Sequence, residues 1–185
     1  MIDILKKVLS ECTQYVNELK NCPKGYFLYR GTNYQVEDVR LGESRLSHRP
    51  PLNMPDNLHD SVNTIAENKF GWKIRNGVFC YGFTSLDEVP EPLGYGIQYL
   101  CFPVGNFTFI YSPEHFDLVG HFKDKDFKVT NAYIEEMVFK TTSLKDAIDS
   151  NKYRNGIGNE ISVNVKTYYL VDVKHRKELA NAIWG

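Results

Sequence analysis

The chain has 185 residues, enough for one domain with a real hydrophobic core. Its hydrophobic share of 42% and charged share of 24% are those of an ordinary globular protein, which sets aside fibrous, disordered and membrane-spanning classes. The net charge of −1 gives no global field to draw in nucleic acid or an anionic membrane, so any such partner would need a local patch.

At the start, Ile2, Leu5, Val8, Leu9, Cys12, Tyr15, Val16 and Leu19 recur every three or four residues. That spacing predicts an amphipathic helix, stopped by Pro23 and Gly25. This opening lacks a signal-peptide pattern, and the four cysteines show no CxxC or metal-ligand spacing. Reduced thiols in a cytoplasmic compartment are the expectation. GYFLYRG reads as a strand ending at Gly31, and the polar, proline-bearing stretch 32–55 as an irregular loop. DNLHDSVNTIAENKF then sets Leu58, Val62, Ile65, Ala66 and Phe70 on one helical face behind an Asp56 cap.

From residue 77 the period changes. VFCYGF, IQYLCFPV, FTFIYS, YIEEMVF and EISVNVKTYYLVDV all read as strands, with turns at Gly94, Gly96, Gly105 and Asn106. LKDAIDS predicts a short helix before a glycine-rich lip at 156–158, and KHRKELANAI a closing one. Helices come early and strands late, without βαβ alternation. The expected class is α+β with a mainly antiparallel sheet in one domain, 1–185.

Three places could carry chemistry. Arg30 ends a strand, where a guanidinium can grip phosphoryl oxygens, and Gly31 lets a ligand approach the backbone. Thr84 and Ser85 follow Phe83 in a hydroxyl-rich turn. Glu160 opens the last long apolar run. Taken singly, each has an ordinary explanation as an ion pair, a turn or a solvated strand start.

In this order, Tyr29-Arg30-Gly31, then Phe83-Thr84-Ser85, then Asn159-Glu160-Ile161-Ser162-Val163 with Thr167-Tyr168-Tyr169 resembles the arginine–serine–glutamate class of ADP-ribosyltransferases, the cholera-toxin-like enzymes. The resemblance spans about residues 26–173, leaving 1–25 as a helical N-terminal portion. It implies a split, mainly antiparallel two-sheet core and an enzyme that moves ADP-ribose from NAD to a macromolecule without a metal. Arg30 with Gly31 would hold NAD, Ser85 and Thr84 would brace the cleft, and Glu160 would bind the 2′-hydroxyl of the nicotinamide ribose. Tyr81 could stack on a flat ring of the dinucleotide.

The class members that modify arginine carry a carboxylate or amide two residues before the glutamate. Here that place is Gly158, so arginine is not the expected acceptor. A nucleobase of RNA or DNA is favoured over a protein side chain, with Asn159, His59 and the cationic Arg45 and Arg49 as candidate acceptor contacts. The resemblance further implies a toxin or phage–host effector with an antitoxin or inhibitor partner. Three alternatives stay open: transfer to a protein side chain, hydrolysis of NAD by water, and a module that binds NAD or nucleic acid without turnover.

Overall fold

A computed structural model describes residues 2–88, 96–150 and 158–185. The expected turn at Gly94 and the start of the glycine-rich lip at Gly156 lie outside the described residues. The architecture is α+β, with a seven-stranded antiparallel sheet and seven α-helices among the described residues.

The N-terminal apolar stripe folds as two helices, α1 (Ile2–Glu11) and α2 (Thr13–Lys20), broken only at Cys12. Val8, Cys12, Tyr15 and Leu19 are fully buried, as the spacing predicts. The strands are β1 (Phe27–Thr32), β2 (Val39–Glu43), β3 (Val78–Phe83), β4 (Ile97–Pro103), β5 (Thr108–Tyr111), β6 (Glu160–Asn164) and β7 (Thr167–Asp172). Helix α3 (Asp56–Phe70) starts after Pro55 rather than behind an Asp56 cap, and ends at Gly71 in the left-handed region. Helices α4 (Leu118–Lys123), α5 (Asn131–Glu136), α6 (Leu144–Asp149) and α7 (Arg176–Trp184) complete the fold.

Three expectations are corrected. The 32–55 loop contains β2, an edge strand whose half-exposed residues hide its pattern. YIEEMVF is no strand: Thr130 accepts a hydrogen bond from the Tyr133 amide and caps α5, so local capping overrides the β-like composition. EISVNVKTYYLVDV is two strands, β6 and β7, joined through Val165 and Lys166.

The strand order is β2-β7-β4-β1-β3-β6-β5. Strands β6 and β7 are therefore close in sequence but separated by three others. A flat sheet would hold them about 19 Å apart. The three peptide steps from Asn164 to Thr167 reach about 11 Å at most. The sheet must bend, and β1 is where it does. Its first residues pair with β3 (Phe27 opposite Phe83, Leu28 opposite Gly82, Tyr29 opposite Tyr81) and its last with β4 (Tyr29 opposite Leu100 through Thr32 opposite Ile97). Only Tyr29 is shared. Beyond it β1 and β3 part, and a gap opens between them.

Two apolar clusters flank this bend. The larger joins the sheet to α1, α2, α6 and α7; the smaller gathers α3, α4 and α5 around Ile74, Ile110 and Phe122. Helix α6 lies directly on β3, because Gly82 has no side chain to keep it away: a Cβ there would stand 2.3 Å from the Ile148 Cα. All four cysteines are buried free thiols. Among the described residues no helix is long and apolar enough to cross a membrane.

Candidate active site

The gap between β1 and β3 costs β3 a partner on one side, and a buried carbonyl left alone there is expensive. Arg30 fills the vacancy: its Nη1 donates to the Phe79 carbonyl at 2.9 Å. The guanidinium is thus drawn into the gap rather than into solvent, with Gly31, Cys80 and Tyr81 around it. Its Nε is buried without a hydrogen-bond partner, and the Tyr168 ring centroid lies 5.6 Å from its Cζ.

Glu160 faces the same pocket from β6. Its backbone is held on two sides, opposite Tyr81 in the sheet and through its N–H to the Phe116 carbonyl at 2.7 Å. Its Oε1 accepts from Arg75 Nη1 at 3.0 Å, with 7% of the arginine side chain and 20% of the carboxylate side chain exposed. Burial pushes the Glu160 carboxyl above its usual range, and the Arg75 charge opposes that rise without cancelling it.

Arg75 is placed by a polar relay that begins in α3. Its amide donates to Asn63 Oδ1 at 2.8 Å, and Asn63 Nδ2 lies 3.3 Å from Asn76 Oδ1. Asn76 in turn donates to the Leu46 carbonyl. This fixes the 3₁₀ turn Ile74–Asn76 just ahead of β3. Arg49 closes the rim, donating to the Gly77 carbonyl at 2.8 Å. The guanidiniums of Arg49 and Arg75 each lie 4.3 Å from the Phe79 ring centroid. Asp117 and Leu52 also line the pocket.

The fold thus brings Arg30, Gly31, Tyr81, Arg49 and Glu160 into one pocket. The remaining candidates lie outside that pocket. Thr84 and Ser85 lie past the end of β3, beside Gly25 and so at the far end of β1 from Arg30. The Ser85 hydroxyl accepts from the Asp87 and Glu88 amides, which makes it a turn former rather than a brace for the cleft. Asn159 is 0% exposed and donates to the Ser112 carbonyl, so it cannot meet an acceptor. His59 is buried in α3, with Asn63 and Asp60 as neighbours, and supports the Arg75 turn from behind. Arg45 is exposed and outside the pocket.

Arg75 and Asp117 were not among the candidates. Arg75 has no local pattern around it and is revealed only by its distant partners. Asp117 does carry a signal, since its side chain accepts from the Val119 amide at 2.9 Å and caps α4.

No protein family, curated protein or solved structure matches this chain. The functional reading rests on the chemistry of the site itself.

Proposed function

We propose that this protein is an NAD-dependent mono-ADP-ribosyltransferase. It transfers ADP-ribose from NAD to a nucleobase of RNA or DNA and releases nicotinamide. The observation that carries the reading is the convergence of Arg30 and a half-buried, arginine-tethered Glu160 on one pocket, from strands that are far apart in sequence.

That pairing suits the reaction. Cleaving the bond between ribose and the pyridinium builds positive charge at C1′. A carboxylate already desolvated stabilises that charge better than one in water. Arg75 holds one oxygen of Glu160, leaving the second for the 2′-hydroxyl. Arg30 and Arg49 supply cations for the diphosphate. The bend of the sheet about β1 supports the two-sheet core that the resemblance implies.

The nucleobase preference has two supports. First, position 158 has no room for an acceptor-binding side chain: a Cβ on Gly158 would stand 2.8 Å from the Ile148 carbonyl oxygen. Second, Tyr34, just beyond the strand that carries Arg30, is 44% exposed, with the Arg40 guanidinium 4.6 Å from its ring centroid. An exposed ring beside a cation is a stacking platform for an unpaired base. Such a modifier would act as a toxin or phage–host effector held in check by an inhibitor protein.

NAD labelled in its adenylate half, offered to total RNA, total DNA and total protein in turn, tests the reading. Label in nucleic acid with matching nicotinamide release is expected. Label in protein alone would overturn the acceptor, free ADP-ribose alone would make the enzyme a hydrolase, and no nicotinamide release would end the enzymatic reading. Separately, Arg30→Ala is expected to weaken NAD binding by about 1.5–3 kcal/mol, measured by calorimetry. Unchanged affinity would take Arg30 out of the binding site.

A further inference from the structure

We infer that Asp117 is the acceptor-side carboxylate of this pocket, taking the proton from a nucleobase N–H as that nitrogen bonds to the ribose C1′. The inference rests on the ADP-ribosyl-transfer reading above and deepens it, since it names the group that activates the acceptor.

The segment just before Glu160 cannot do this work. Gly158 is closed in by the Ile148 carbonyl, and Asn159 is turned into the core. The pocket does contain a second carboxylate, and it comes from another element. The Glu160 amide bonds the Phe116 carbonyl, so Asp117 is tied to Glu160 through one hydrogen bond and one peptide unit. The capping bond to the Val119 amide uses Oδ1. Oδ2 lies on the side of Gly120, where a Cβ would stand 3.3 Å from it, so a side chain at 120 would crowd that oxygen.

Among the residues lining the pocket, few other groups can accept a proton. Guanidiniums cannot. The Tyr81 hydroxyl is buried and bonded to Gln98. Cys80 is held as a neutral thiol by burial. Glu160 is committed to Arg75 and to the donor ribose. Asp117 remains.

In the step itself, the acceptor nitrogen's lone pair forms the N–C1′ bond. The C1′–nicotinamide bond breaks, and its electron pair neutralises the pyridinium. The acceptor proton passes to Asp117 and then to solvent. A base bearing an amino or imino N–H fits, because a carboxylate accepts from such an edge.

The test is Asp117→Asn, which keeps a capping side chain for α4. With labelled NAD and random-sequence single-stranded RNA and DNA oligonucleotides, transfer should fall about 100-fold. NAD affinity should hold or tighten, since an anion has been removed from a pocket that takes a diphosphate. Asp117→Glu should recover part of the transfer. Transfer equal to wild type in Asp117→Asn would overturn this inference alone. So would a loss of transfer matched by weaker NAD binding, which marks a structural role. Label on protein instead of either oligonucleotide overturns the nucleobase assignment. A wild-type protein that releases no nicotinamide brings down the proposed function, and this inference with it.

Discussion

Replacing Glu160 with Gln is expected to cut nicotinamide release by about 100-fold or more, or about 2.7 kcal/mol of transition-state stabilisation. Gln keeps the shape of Glu and an oxygen for the Arg75 hydrogen bond, but not the charge. NAD should still bind, since the proposed function gives the diphosphate contacts to Arg30 and Arg49. The loss should therefore fall on kcat. Glu160 must be ionised to act, and burial has raised its pKa. Activity should accordingly drop on acidification at a pH above the usual carboxylate range, and the residual rate of Glu160→Gln should lack that limb. Arg75→Gln removes the nearby charge that opposes the rise, so the limb should move to still higher pH. A pH–rate profile of kcat/KM for the three proteins checks both directions. A wild-type limb at or below the ordinary carboxylate position would show that Glu160 is not the titrating group.

The second large effect concerns folding. Gly82→Ala is expected to destabilise the protein by about 3 kcal/mol, read as a lower midpoint in urea unfolding. The new Cβ would meet Ile148 Cα at 2.3 Å and its carbonyl oxygen at 2.5 Å, and these are backbone atoms that no rotamer change can move aside. Trimming Ile148 to Ala should therefore fail to rescue the variant. Because the Gly82 carbonyl accepts from the Gly158 amide at 2.9 Å, the displacement should reach the segment that leads into Glu160. Activity should fall together with stability. Gly82→Ala with wild-type stability would mean that α6 does not pack on β3 as described.

What was legible in the sequence follows from how local each signal is. The α1–α2 stripe, α3, α6, α7 and the central strands declare themselves through burial of every third or fourth residue, or through unbroken apolar runs such as Tyr99–Phe102. Arg30 and Glu160 stood out in the sequence because one follows the apolar run Phe27–Tyr29 and the other opens β6. Arg75 was not, because its place depends on Asn63, twelve residues upstream, and on Glu160, 85 residues downstream. Ser85 misled because a hydroxyl after a strand serves a turn as readily as a cleft. His59 was a candidate acceptor contact, yet it and Asn63 are both buried beside the 3₁₀ turn. Helix α5 was missed because Tyr, Ile, Val and Phe outweighed the cap at Thr130.

The short Val165–Lys166 connection has a mechanical consequence. It bolts the strand bearing Glu160 to the opposite flank of the molecule, while β1 acts as the spine between the two covers. A book laced along both its spine and its fore-edge cannot be thrown open. If the proposed function holds, room for a dinucleotide would come from side chains and from the 44–55 crossing that carries Arg49 and Leu52, rather than from a parting of the strands.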